Sequence, residues 1–207
     1  MTRQLRPTGL RPLAIILCGL SLAGVAGAQK WPEKPVTLVV PFAAGGPTDT
    51  IARLIAASMS KTLGKSVVVE SRTGAGGTRA SALVAAAAPN GYTFLIHHNG
   101  MATAPALYKK LDYDPLTSFE YVGQVVDVPM TIVGRKDLPP SNMKELIAYL
   151  KANRDKVNMG DAGPGAVSQL CAMLLRKSLD VPLTSVPFQG TGPAMVALEG
   201  GHVDLMC

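Results

Sequence analysis

The chain has 207 residues, and its 20 Lys and Arg outnumber 14 Asp and Glu. Three of the arginines, Arg3, Arg6 and Arg11, fall in the stretch 1–28, which contains no acid, so the stretch 29–207 holds 17 bases and 14 acids with no basic run. That balance suits small anionic molecules and argues against nucleic acid, which calls for a clustered basic face.

The stretch 1–28 is expected to be a cleaved export signal. The three arginines form a positive n-region, residues 13–22 form an apolar h-region, and Ala26-Gly27-Ala28 offers small residues for cleavage before Gln29. The apolar run is too short to span a bilayer comfortably. Lipidation at Cys18 would need a small residue before it, and Leu17 stands there.

The stretch 29–207 suffices for one domain or two small lobes, and it reads as alternating strands and helices. Residues 36–42 (VTLVVPF) predict a strand buried on both faces. After the turn AAGGPTD, Thr48 or Asp49 is expected to cap a helix with Ile51, Leu54, Ile55 and Met59 on one face, ending at Gly64. Residues 66–70 predict a second strand, 78–88 an alanine-rich helix and 92–97 a third strand. This succession points to an open sheet with right-handed crossovers.

A helix is expected over 101–109, then strands over 121–126 and 130–135, split by Pro129. A helix over 141–151, a strand at 157–160 and a helix over 167–179 follow. A strand at 185–188, a short helix through GTGPAMVALEG and a strand at 203–206 complete the pattern. The boundaries expected are a first α/β lobe at 29–99 and a second at 100–207. Cys171 and Cys207 remain after cleavage; in an oxidising compartment they can pair, or both can stay as buried thiols.

Three glycine-rich turns share one placement, after a strand and before a helix: residues 43–49, 73–78 and 161–166. Ligands of open α/β sheets sit beyond the carboxyl ends of the strands, where such turns gather. Glycines admit a ligand close to the backbone, and free N–H groups at helix starts favour an anion. Each turn can also be no more than a tight connection. Nucleotide binding finds little support: Gly74-Ala75-Gly76 has Arg79 where the dinucleotide fingerprint needs glycine, and no phosphate-loop lysine motif occurs. His97 and His98 are adjacent on a predicted strand and so are expected on opposite faces, unable to chelate one metal together. With no nucleophile elbow, zinc-binding helix or spaced Cys/His cluster, the sequence does not read as an enzyme.

In order along the chain, WPEKPVTLVVPFAAGGPTDTIAR, LGKSVVVESRTGAGGT, APNGYTFL, PALYKKLDYDPLTSFEYVGQV, KELIAYLKANRDKVN and SVPFQGTGPAMVALEGGHVDLMC resemble the tripartite tricarboxylate transporter substrate-binding family, also called the Bug family. The resemblance implies an α/β, two-lobe, type 2 periplasmic-binding-protein-like fold that closes on a small carboxylate and hands it to a membrane permease. It implies no cofactor, no metal, no catalytic residue and action as a monomer in the periplasm. Ligand contacts are implied for Phe42, Ala44, Gly45, Thr48 and Asp49 of the first turn and Gly74, Gly76 and Gly77 of the second. Asn99 and Thr103 at the lobe crossing join them, as do Asp161, Ala162, Gly163 and Gly165 of the third turn.

Departures from the family pattern leave the ligand's identity open. Asp161 stands where a serine is usual, Ala166 where a threonine is usual, and Gln169 in the place of a histidine; the His97-His98-Asn99 stretch also differs. A carboxylate at Asp161 is expected either to weaken carboxylate binding or to select a ligand with a donor group. Family chains continue past this point and return to the first lobe, so a shortened chain with an incomplete first lobe is expected. The alternatives are a binding partner of a membrane sensor kinase and an exported enzyme using His97 or His98.

Overall fold

A computed structural model describes residues 30–207; the expected export signal and Cys18 lie outside the described residues. Residues Lys34–Cys207 form one compact unit built on two sheets. In the first, β1 (Val36–Val40) is central, flanked by β2 (Val67–Ser71) and β3 (Thr93–Leu95), all parallel, with Leu38 opposite both Val69 and Phe94. Val36, Leu38, Val39 and Val40 are buried, as a two-faced apolar strand requires. Helix α1 (Pro47–Leu63) packs on β1 and β2, and α2 (Thr78–Ala85) on β3 and β1.

Helix α1 begins earlier than expected. Pro47 fits the first helical position because its φ is preset and it has no N–H to leave unpaired. The N-cap is therefore Gly46, and Asp49 falls in the first turn rather than at the cap. The helix buries Ala52 and Ala56, whereas Leu54 is exposed. It ends on Gly64 in the left-handed conformation, a C-cap that glycine adopts without penalty.

Helix α3 (Gly100–Leu107) leads into a long irregular stretch. The strands expected at 121–126 and 130–135 do not form as such: the only strand here is β4 (Val133–Gly134). Tyr113 is buried and Ile132 packs on the core that includes Leu146 and Leu150, but most apolar side chains over 121–130 stay outside, with Val122 85% exposed and Tyr121 67%. Strand propensity is satisfied only where a partner lies alongside, and β4 alone finds one.

The second sheet runs β4-β7-β5-β6, with β5 (Asn158–Asp161) parallel to both β6 (Thr184–Pro187) and β7 (Leu205–Met206), and β4 antiparallel at the edge. Successive residues of β7 serve opposite faces, as the strand period dictates. Leu205 joins Leu146, Leu150, Val157 and Met159 under α4 (Met143–Ala152) and α5 (Val167–Leu179), while Met206 joins Ala194, Leu198 and Val203 against α6 (Thr191–Glu199). Asp204 fastens the edge, accepting from Arg135 Nε at 2.9 Å and from the Asn158 N–H at 2.9 Å. A disulfide joins Cys171 of α5 to Cys207, just past β7, with a Cα–Cα distance of 6.3 Å.

The two sheets share one arrangement. In each, the first parallel strand is central and the next two flank it, β2-β1-β3 and β6-β5-β7. Strand order reverses at that central strand, and the reversal opens a crevice at its carboxyl end. The turns after β1 and β5 are the two so placed.

Candidate functional site

The first turn, residues 43–49, leaves β1 and meets a turn absent from the sequence-based site, residues 189–192 between β6 and α6. The Ala43 N–H donates to the Gln189 carbonyl at 3.0 Å. A Cβ on Gly192 would stand 2.8 Å from the Ala44 carbonyl oxygen, and one on Gly190 would stand 2.9 Å from the Ala43 nitrogen. This fourth turn carries the same signal as the other three, glycines between a strand and a helix. Within the first turn, Ala44 and Gly45 are exposed and Thr48 is half-buried. Asp49 is buried, accepting from the Gly45 N–H at 3.0 Å and from Arg53 Nε at 2.9 Å. The Arg53 hydrogen bond holds the Asp49 carboxyl below the ordinary aspartate range, against the opposing effect of burial, with the Gly45 N–H helping.

The second turn, residues 73–78, meets the third. A Cβ on Gly76 would lie 1.7 Å from the Pro164 carbonyl oxygen and 2.9 Å from the Tyr108 hydroxyl, which itself donates to Pro164 O at 3.1 Å. Gly77 packs against His97, whose Nε2 is 2.7 Å from where a Cβ would stand. Gly74 is covered by the side chain of Arg79, an exposed residue whose guanidinium has no carboxylate partner among the described residues. Sequence reasoning met Arg79 only as a break in a nucleotide motif; its helical position, five residues past Gly74, was the available clue.

The third turn is braced from within. Asp161 is fully buried, its Oδ1 accepting from the Gly163 N–H at 2.8 Å and its Oδ2 from the Ser185 hydroxyl. The Ala162 N–H donates to Ser168 Oγ at 2.9 Å, and the Gly165 N–H to Gln169 Oε1 at 2.8 Å. Both side-chain carboxylate oxygens of Asp161 are thus engaged, one within the turn and one by β6. Gln169 in the histidine position likewise has a structural partner.

Phe42 joins these parts. It packs with Ala162 and Ala166, stacks on the His98 ring at 4.7 Å, and meets the His97 ring edge-on at 5.8 Å. The two histidines do not part to opposite faces: β3 ends at Leu95, the strand alternation stops there, and their rings lie 4.9 Å apart. The His97 Nδ1 accepts from the His98 N–H at 2.8 Å, and the His98 Nδ1 from the Gly100 N–H at 3.0 Å. Each neutral ring therefore carries its proton on Nε2. Burial pushes His97 down to about 3, with the neighbouring His98 adding to the effect, and pushes His98 down to about 4. Asn99 is exposed at the start of α3, and the Thr103 hydroxyl donates to the Gly100 carbonyl at 3.1 Å.

The helices leaving the four turns, α1, α2, α5 and α6, all begin without a side-chain cap. Of the two helices that leave other segments, α3 also starts without a side-chain cap, whereas α4 is capped: Asn142 accepts from the Glu145 N–H at 3.0 Å, and Glu145 accepts from the Ser141 N–H at 3.0 Å. First-turn N–H groups have no partner inside their own helix, so uncapped starts leave donors for an anion. Among the described residues no group of three potential metal ligands gathers, and no helix is long and apolar enough to cross a membrane.

Residues 51–207 match the family described as the tripartite tricarboxylate transporter family receptor. The chain belongs to this family. It is 52% identical over 198 residues to the protein encoded in the TAR-I ttuE-ttuC' intergenic region of Agrobacterium vitis, an alignment that spans 95% of this chain and 57% of that one. Its fold matches the structure of the periplasmic binding protein BugD with a TM-score of 0.84 and 56% identity, over 86% of this chain and 59% of BugD. It matches MatC from Rhodopseudomonas palustris, solved with bound malate, with a TM-score of 0.80 and 47% identity over 86% of this chain and 60% of MatC. Membership of this family agrees with the α/β fold, and this chain spans less than two thirds of the length of these relatives.

Proposed function

We propose that this protein is a periplasmic solute-binding protein that captures a small carboxylate and passes it to a membrane permease of the tripartite tricarboxylate type. The observation that carries this reading is the convergence, around Phe42, of turns whose helices start uncapped. The Gly45, Ala162, Gly163 and Gly165 N–H groups donate to side chains, so the N–H groups that replace the water of a carboxylate are those of the helices' own first turns. The ligand lies between two lobes, residues 29–99 and 100–207. The contacts come from Phe42, Ala44, Gly45, Thr48 and Asp49, from Gly74, Gly76 and Gly77, and from Asn99, Thr103, Ala162, Gly163 and Gly165. Asp161 acts by shaping the third turn. Residues 1–28 direct export and are removed, and the ligand leaves chemically unchanged, with no cofactor involved.

Malate bound to MatC supports a dicarboxylate as the first compound to try. The test is thermal unfolding of the chain with di- and tricarboxylates. A ligand present at about a hundred times its Kd adds about 2.7 kcal/mol. For a fold of this size each kcal/mol moves the Tm by about 2–4 °C, so a binder raises it by about 5–10 °C. A cooperative melt that no carboxylate moves would refute the assignment.

A further inference from the structure

We propose that the Cys171–Cys207 disulfide positions the third ligand turn, so that ligand affinity depends on the bridge. This deepens the reading of residues 161–166 as a ligand turn and rests on it. The bridge closes a short circuit. Strand β5 runs into the turn at Asp161; the turn runs into α5; Cys171 sits on α5; the disulfide leads to Cys207; and β7, just before Cys207, is hydrogen-bonded back to β5 through the pairs Met159–Leu205 and Gly160–Met206. Every link except the bridge is main chain or sheet ladder. The bridge alone ties the side of α5 to the sheet covalently.

Helix α5 supplies the side chains that hold the turn. Ser168 and Gln169 accept from the Ala162 and Gly165 N–H groups, and Cys171 lies two residues beyond Gln169. Any slide or roll of α5 is therefore passed to those two amides. Beside β6 the helix borders an open cleft of about 150 Å3, bounded by Gln169, Ala172, Met173 and Arg176 of the helix and by Met159, Leu183 and Ser185 of the sheet. The cleft opens to solvent, so that edge of the helix has fewer protein contacts to resist displacement. Cys171 and Leu175 pack against the core under α4, which includes Met159, Ala172 and Leu183, while Met173 and Leu174 are exposed. The bridge thus fixes α5 covalently to that core, where packing alone would otherwise hold it.

The experiment compares hydrogen exchange of residues 161–166 in the oxidised chain, in the chain reduced by a dithiol, and in a Cys171→Ser/Cys207→Ser variant. The dithiol is itself oxidised to a disulfide as the two cysteine thiols form. The control is Leu150→Ala, which opens the same core from α4 and leaves the bridge intact. The expected result is exchange at least tenfold faster in the third turn on losing the bridge, with β1 and the second turn unchanged. Leu150→Ala, compared at equal distance below its own Tm, should leave the third turn protected. Any carboxylate found to bind the oxidised chain should bind at least tenfold more weakly once the bridge is gone. Unchanged exchange in the turn would overturn the proposal, as would equal loosening in Leu150→Ala. Loss of all tertiary structure on reduction would also overturn it, because the bridge would then staple the whole fold. If no carboxylate binds even the oxidised chain, the function proposed above fails by itself, and the exchange comparison still decides whether the bridge holds the turn.

Discussion

Replacing Gly76 by alanine tests the meeting of the second and third turns. Gly76 has φ 61° and ψ 20°, a left-handed conformation that costs an ordinary L residue about 1–2 kcal/mol. The added Cβ would lie 1.7 Å from the Pro164 carbonyl oxygen. Carbon and oxygen settle no closer than about 3.3 Å, so the two turns must separate by about 1.6 Å. That breaks the hydrogen bond from the Tyr108 hydroxyl to Pro164, which contributes a further 0.5–1.5 kcal/mol, roughly. The total is about 1.5–3.5 kcal/mol, or a Tm lower by about 3–14 °C. Gly64→Ala is the matched control: its φ is 64°, but nothing lies within 4 Å of the added carbon, so it meets only the backbone term. The two variants are compared by thermal melts and, with a carboxylate that binds the parent, by calorimetric titration. Gly76→Ala should melt below Gly64→Ala and lose at least about tenfold in affinity, equivalent to 1.4 kcal/mol. Equal melts together with unchanged affinity would show that the turns do not meet as described.

Acid should weaken the fold through His97 and His98. Their folded values are depressed, to about 3 and about 4, from an ordinary 6.5, so their contribution is fully present above pH 6.5 and is lost as the pH falls toward 4. Each contributes at most about 1.4 kcal/mol per pH unit in that window, and a His97→Gln/His98→Gln variant should show a flatter dependence of Tm between pH 6.5 and 5. Asn142→Ala removes the α4 cap and should lower stability by about 1 kcal/mol, or about 2–4 °C in the Tm, while leaving carboxylate affinity unchanged in the same titration.

Much of this architecture is legible in the residues themselves. VTLVV is buried on both faces as read, and α5 spans Val167–Leu179 as its apolar spacing predicts. Misreadings arise where a local signal depends on a distant partner. The stretch around Tyr121 and Val125 has the composition of a strand, yet pairing is decided by what lies beside it, and only Val133 and Gly134 reach β7. The histidines were assigned opposite faces by extending strand alternation two residues past Leu95, where the strand has already ended. Thr48 and Asp49 both suit a cap by their chemistry, but Pro47 at the first helical position sets the start upstream, with Gly46 as the N-cap. The glycines after β6 carried the same strand–turn–helix signal as the other three turns. They were read only as the start of α6, because nothing local says which turns will face one another; the shared order of the two sheets decides that.

The balance of peptide groups and side chains in the turns bears on how such a site would select its ligand. Backbone N–H groups at uncapped helix starts attract any carboxylate and report little about what it is attached to. Discrimination must therefore come from the side chains that line the turns, and these are few. Phe42 and the rings of His97 and His98 pack together between the turns, and burial keeps both rings neutral above about pH 5, so they present aromatic rather than charged surface. Of the two arginines beside the second turn, Arg72 is paired with Glu70, whereas Arg79 lies over Gly74 in the first turn of α2, where a positive charge opposes the helix dipole and gains nothing for the helix. Asp161 and Gln169, the substitutions most prominent in the sequence, are committed to holding the third turn. If this chain binds a carboxylate as proposed, its turns would attract the anion, and Phe42, His97, His98 and Arg79 would be the side chains to vary first in testing which carboxylate it takes.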